Sequence, residues 1–238
     1  MAEAGTGDPP LLGYARQNSI LQALQRDELM AMDRDVSLVR CRPGQVLLDA
    51  TLQDDRVFFP TTAVLSPIVF LPDGHSIATR LVGPAGVAGL YAPAGRAMGL
   101  NLITVYAGEV LGLRRDAFLR HVGRSEVLSR AVGEEMSRAV TAFALLVACA
   151  HFHSLEQRGA RLLLNLLDHG GNGPIRMSQQ LIADVLGVRR GSVTSMMNAL
   201  RSRDVVESRR SEVVVVDRPA LEQLACDCYG LLREARAG

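Results

Sequence analysis

The chain has 238 residues, of which 48% are hydrophobic, and a formal net charge of +1. That length holds two modest domains and a connecting helix, and the apolar content supports packed cores rather than disorder. The near-neutral balance excludes a uniform polycation, so any surface that attracts polyanions must be local. All 26 basic residues are arginines, whose planar fork donates paired hydrogen bonds. The cysteines, Cys41, Cys149, Cys226 and Cys228, fit no disulfide framework and point to a reducing compartment. No basic start followed by an apolar run marks a signal peptide. The most apolar helical stretch, Val140 to Ala150, is shorter than the roughly 17–25 residues that span a bilayer. A soluble, cytoplasmic protein with no membrane partner is expected.

Residues 1–13, with Gly5, Gly7, Pro9 and Pro10, read as a frayed tail. Ile20, Leu21, Leu24 and Leu29 recur at helical spacing and predict one or two short amphipathic helices. From Val36 to about Leu113 short apolar runs alternate with turn signals such as Arg42-Pro43-Gly44, Pro72-Asp73-Gly74 and Gly83-Pro84. Strand-like pieces lie between them: Val57-Phe58-Phe59, Val64 to Phe70, and Ile77 to Val82. Turns at this spacing predict a compact all-β sandwich or barrel, with Asp73-Gly74 at a hairpin tip.

From Ser125 to about His151 one long helix is predicted. Leu128, Val132, Met136, Ala139, Phe143, Leu146 and Ala150 follow at steps of three or four and define a seam. The half from Val140 to Ala150 is apolar all round, so it must be covered on every side. One side suits the β-domain and the other a symmetry mate, which predicts a homodimer through that seam. Ser154-Leu155-Glu156-Gln157 has the form of a capping box, so a new helix starts at Leu155 and a hinge lies at His153-Ser154. That helix stops at Gly170-Gly171-Asn172-Gly173-Pro174.

The stretch from Ser178 to Leu200 reads SQQLIADVLGVRRGSVTSMMNAL. Ser178 suits an N-cap, Ala183 is small where two helices cross, and Gly187 suits a left-handed helix end. Leu181, Leu186, Val188, Val193 and Met196 supply a small shared core. A second helix follows from about Arg189 to Arg203, which completes a helix-turn-helix. Val205-Val206, a charged turn and the run Val213 to Val216 then predict a two-stranded wing. Between Arg176 and Arg210 seven arginines face three acids, a local excess of +4, as a surface for duplex DNA requires. Arg189, Arg190, Ser192, Thr194 and Ser195 are the candidates for base contacts in the major groove. Ser178, Gln179 and Gln180 suit phosphates, and Arg209 and Arg210 suit the backbone from the wing.

The order of parts resembles the Crp/Fnr superfamily of transcription regulators. The resemblance rests on Val57-Phe58-Phe59-Pro60, Pro72-Asp73-Gly74, Val87-Ala88-Gly89-Leu90, Ser154 to Leu167 and Leu186-Gly187-Val188-Arg189-Arg190. The stretch Leu221 to Tyr229 looks like one branch of that family without a well-defined ligand. The resemblance implies an α+β chain: a β-roll (jelly-roll-like) domain with short N-terminal helices over 14–124, a dimerisation helix and hinge over 125–153, and a winged helix-turn-helix over 154–238. It also implies RNA polymerase as a partner and an unidentified small-molecule effector in the β-roll. An ordinary cyclic-AMP site is not expected. The family's glutamate position falls in Gly86-Val87-Ala88-Gly89, which has no acid, and its Arg-Ser pair falls near Met98-Gly99, with Arg96 close but no serine beside it. Gly191 stands where well-known members carry a glutamate, which implies a different operator.

Other constellations are weaker. The family's iron-sulfur sensors use clustered N-terminal cysteines, and only Cys41 lies in the first half. Cys226-Asp227-Cys228 suggests a metal, but residues two apart on a helix point to different faces, so the pair reads as structural. Cys149, His151 and His153 cluster at the hinge, where a haem or metal sensor is the alternative to packing and surface histidines. His75 reads as exposed, and His121 and His169 have no evident partner. No metal ligand or cofactor is expected. Nucleophile elbow, P-loop, zinc-protease pair and dinucleotide fingerprint are all lacking, so an enzyme is not expected. The rival reading is an architectural DNA-binding protein whose β-roll is a scaffold with no sensed ligand.

Overall fold

The computed structural model describes residues 10–49, 55–90, 100–170, 173–209 and 211–237. Three short helices come first: α1 (Pro10–Ala15), α2 (Ser19–Gln22) and α3 (Arg26–Met32). Of the expected tail, residues 1–9 lie outside the described residues. Residues 10–13 are not tail, because they open α1 and bury Leu11 completely. Asn18 caps α2 by accepting from the Ile20 and Leu21 amides, and its fully buried amide donates to the Pro60 carbonyl at 2.9 Å and the Gly86 carbonyl at 3.0 Å. All its bonding capacity is thereby used in tying the helices to the strands.

Seven strands follow: β1 (Val36–Cys41), β2 (Val46–Leu48), β3 (Arg56–Pro60), β4 (Val64–Phe70), β5 (Ser76–Ala78), β6 (Leu100–Tyr106) and β7 (Gly108–Arg114). They form two antiparallel sheets, ordered β1-β7-β3 and β2-β6-β4-β5. Phe58, Leu65, Leu102 and Val110 pack together between them. Alternate residues point the other way, as the pleat requires. Val57, Phe59, Leu111 and Leu113 pack on the N-terminal helices, and Ile68, Ile103 and Val105 pack on the C-terminal part of the chain. With both faces covered, the strands read as continuous apolar runs rather than as alternation. Gly74 takes φ +86° at the expected hairpin tip, where glycine carries little steric cost. The strand expected from Ile77 to Val82 shortens to β5 plus an isolated bridge at Val82. Opposite it, Pro67 accepts from the Thr79 amide but has no N–H to return, so the ladder loses a rung.

Helix α4 (Arg115–Val122), absent from the sequence reading, leads into α5 (Glu126–Phe152), capped by Ser125 accepting from the Leu128 amide at 3.0 Å. Helix α6 (Leu155–Gly170) starts at the expected capping box: the Ser154 amide donates to Gln157 Oε1 at 2.9 Å, and the Gln157 amide donates to Ser154 Oγ at 3.3 Å. Helices α7 (Gln179–Leu186) and α8 (Arg190–Arg201), strands β8 (Val206–Arg209) and β9 (Glu212–Val215), and helices α9 (Arg218–Leu224) and α10 (Cys228–Ala237) complete the chain.

The seam predicted on α5 is corrected in part. Leu128 and Ala139 are fully buried within their own protomer, so neither is available to a partner. Leu128 joins the core of the N-terminal helices. Val132, Phe143 and Leu146 are half-buried, while Met136 and Ala150 are exposed. The outward stripe runs through Gly133, Ser137, Val140, Ala144, Val147 and His151, again at steps of three and four. Val140 is 65% exposed and Val147 72%. Taken whole, α5 is also longer than the apolar stretch measured in the sequence. Its 27 residues include an 18-residue window of mean hydropathy 1.2, of which 22% is buried, so by length and composition alone it could cross a membrane. Its inward face instead carries Glu135, 2% exposed and ion-paired with Arg80 of the β-domain. Arg138 adds a second contact to Glu135 at 3.3 Å.

Candidate nucleic-acid interface

Ser178 caps α7 by accepting from the Leu181 amide at 3.1 Å. The helix ends at Gly187, with φ +68°. A Cβ there would be strained by the left-handed backbone and would also press the side-chain end of Ile77 in β5 at 2.9 Å, so the position favours glycine. Arg189 is the N-cap of α8. The core expected for this motif is present: Leu181, Leu186, Val193 and Met196 are buried with Ala183, and Val188 packs against them. Val206 to Arg209 pairs antiparallel with Glu212 to Val215 as the wing.

This frame leaves one polar face open. Arg189, Arg190, Ser192, Thr194 and Ser195 are exposed along the start of α8. Ser178, Gln179, Gln180, Arg190 and Arg209 line a groove of about 430 Å³ between the two helices and the wing. Arg210 lies outside the described residues. Some of these groups are already engaged. Thr194 Oγ1 donates to Gln179 Oε1 at 2.9 Å, which pins α7 to α8, and Gln180 donates to Asp184 at 2.8 Å. The local arginine excess is also partly spent. Arg176 pairs with Glu212 at 3.0 Å and Arg203 with Glu156 at 3.4 Å. Among the described residues no ion pair holds Arg189 or Arg190, which leaves their guanidinium groups to solvent or a ligand.

Residues 157–224 match the family model described as a Crp-like helix-turn-helix domain. That segment is therefore similar to the DNA-binding domain of Crp-like regulators. The fold of most of the chain is shared by solved structures of Crp/Fnr-type regulators. One, assigned to the Crp/Fnr family of transcriptional regulators from Eubacterium rectale, is 15% identical with a TM-score of 0.69, covering 88% of this chain and 98% of its own. FixK2 from Bradyrhizobium japonicum is 17% identical with a TM-score of 0.66, covering 80% and 98%. The c-di-GMP responsive global regulator CLP from Xanthomonas campestris is 14% identical with a TM-score of 0.62, covering 81% and 100%. No curated protein sequence matches the chain. The resemblance drawn from the motifs therefore holds, and the α+β architecture is that of Crp/Fnr folds.

Two further sites lie apart from this polar face. The first is a cavity of about 90 Å³ where the β-domain meets α5 and α6, lined among others by Arg80, Gly86, Glu135, Arg138, Arg161 and His169. It includes Gly86, where the family's glutamate would fall, while Arg96 and Met98-Gly99 lie outside the described residues. The second is a set of sulfur and nitrogen ligands at the hinge. Cys149, His153, Cys226 and Cys228 place one ligand atom each within 4.8 Å of all the others. The helix-face rule that separated Cys226 from Cys228 fails because Cys226 lies in the turn before α10, and Cys228 is its first residue. His151 is exposed and stacks edge-on against Phe152. His121, expected to lack a partner, contacts Asp35 at 2.9 Å, and His169 packs over Gly83. His75 is exposed as expected, beside Asp73 at 3.0 Å.

Proposed function

We propose that this chain is a sequence-specific transcription regulator that binds a pseudo-palindromic operator as a homodimer in the cytoplasm, without enzymatic activity. The observation that carries the reading is the open face shared by the start of α8 and the wing, with Arg189, Arg190 and Arg209 exposed around a polar groove. Arg189, Arg190, Ser192 and Ser195 take the base edges, because the N-terminal residues of a recognition helix enter the major groove. The start of α7, with Ser178, Gln179 and Gln180, and the wing arginines Arg209 and Arg210 take phosphates. Thr194 acts mainly by holding Gln179 in place.

Dimerisation follows from α5. On its outward stripe Val140, Ala144 and Val147 are small, apolar and exposed, and would gain cover from a two-fold mate. A two-fold axis along α5 sets the two recognition helices about 34 Å apart, one turn of duplex. RNA polymerase is the expected partner of the bound dimer. The β-domain serves as a sensor, in keeping with the c-di-GMP responsive regulator CLP, which shares the fold. The cavity beside α5, at about 90 Å³, is well below the roughly 300–1,000 Å³ of ordinary ligand pockets. An effector of nucleotide size must therefore part Arg80 from Glu135. That is a contact between sensor and dimer helix, the kind of differential interaction by which a ligand shifts a two-state equilibrium.

Selection of genomic fragments by the purified protein, with and without small molecules from cell extract, tests the reading. A two-fold symmetric motif is the expected result. Uniform recovery of all fragments would favour the architectural alternative, whose binding depends on salt and not on sequence.

A further inference from the structure

Three cysteines and a histidine that are far apart in sequence converge at the joint between α5 and the C-terminal segment. Cys149 lies in the last turn of α5, and His153 is the cap that follows it. Cys226 and Cys228 come from the turn between α9 and α10. The Cys149 and Cys226 sulfurs are 3.5 Å apart, and the Cys228 sulfur is 3.6 Å from His153 Nδ1. The three cysteines are buried and form a cluster of their own, separate from the apolar cores. Half of this set lies beyond residue 224, where the match to the Crp-like domain ends.

We propose that Cys149, His153, Cys226 and Cys228 form a mononuclear tetrahedral zinc site that staples the end of the long helix to the C-terminal segment. The donor set is one of the standard closed sites for zinc, with three thiolates and one imidazole. The dimensions fit as well. With zinc–sulfur bonds of about 2.3 Å, ligand atoms at the corners of a tetrahedron stand about 3.8 Å apart, inside the range of 3.5 to 4.8 Å seen among the four. An iron-sulfur cluster holds its ligands wider apart, because the ligands bind separate metal atoms around a sulfide core. A disulfide between Cys149 and Cys226 would need the sulfurs at about 2.05 Å and would leave Cys228 and His153 without a role.

A second, independent feature points the same way. Zinc with three thiolates and a neutral imidazole carries a net negative charge, which needs a cation nearby when buried. Arg161 of α6 is 8% exposed, and its Nε has no hydrogen-bond partner. Its charge acts on all three thiols, and Arg158 of the same helix faces Cys149 and Cys226. Zinc holds thiolates charged at neutral pH, and Arg161 would supply the cation that such a buried site needs.

Metal analysis of the purified full-length protein, followed by cobalt substitution, tests the site. One zinc ion per chain is expected. Cobalt in its place should give intense thiolate-to-cobalt absorption and the visible bands of a tetrahedral ion. Cys226→Ser should lose the metal and the cobalt spectrum, whereas Cys41→Ser, in the β-domain, should keep both. Because Cys226→Ser could also unfold the region, thiol counting provides the second measurement. In the native wild-type protein, adding a zinc chelator should make three more thiols reactive. The proposal is overturned by reduced, folded protein that binds no zinc or cobalt, by iron accompanied by inorganic sulfide, by a cobalt spectrum without thiolate bands, or by a Cys149–Cys226 disulfide in the native chain.

Discussion

Arg190 and Arg209 line the same groove, and the proposed function gives them different tasks that substitution separates. Arg190 stands at the first turn of the recognition helix. Replacing it by alanine should relax base preference at one position of each half-site by about 1–3 kcal/mol. Arg209 lies on the wing, so Arg209→Ala should weaken binding evenly across sequences and lower the salt slope by about 1. Fluorescence anisotropy on a panel of single-base variants at several salt concentrations reads both. If the two variants behave alike, the assignment of roles is wrong. Glu135 is a residue of another kind. It is buried on α5 against Arg80 and half-buried Arg138, and Glu135→Ala would leave a cation in a poorly solvated place. A loss of about 3–5 kcal/mol is expected in denaturant unfolding. A change under about 1 kcal/mol would mean that water reaches Arg80 more easily than its burial implies.

Among the elements, α5 shows what periodicity can and cannot give. Its length, its start near Ser125 and the capping box that ends the hinge were all legible, because each depends on residues close in sequence. Its outward face was not. A helix that is apolar all round carries two seams one residue apart, and only the placement of the β-domain decides which is inward. Leu128 and Ala139 therefore fell inside the protomer, and Val140 and Val147 outside it. Val140→Asp with Val147→Asp should yield a folded monomer in light scattering, with unchanged circular dichroism. Ala139→Asp should destabilise the fold instead, by forcing a charge into a fully buried position. A dimer that survives the paired aspartates would exclude this stripe as the interface. The helix-turn-helix was legible for the same local reason as α5's caps: Ser178, Ala183 and Gly187 fix it within ten residues. The Cys149, His153, Cys226 and Cys228 cluster was hidden, because its halves are about 75 residues apart in sequence and meet only through the packing of α10 on α5.

For the whole molecule, the joints matter more than the parts. The β-domain reaches α5 through Arg80 and Glu135, and reaches the helix-turn-helix through Ser76, whose hydroxyl donates to Asp184 at 3.2 Å, and through Ile77 against Gly187. The C-terminal segment closes on the end of α5 at the cysteine and histidine cluster. Stripping zinc from this joint should lower the thermal midpoint of the full chain, because metal that binds only the folded state stabilises it. An unchanged midpoint in scanning calorimetry, after verified removal of bound zinc, would mean the joint does not depend on the ion. The central claim is that two copies read one duplex through paired recognition helices. Its most direct test is affinity for the recovered motif when the two half-sites are moved apart by half a helical turn, about 5 base pairs. The account predicts two chains per duplex on the native spacing and a collapse toward nonspecific affinity on the shifted one. Equal affinity for both spacings would contradict it.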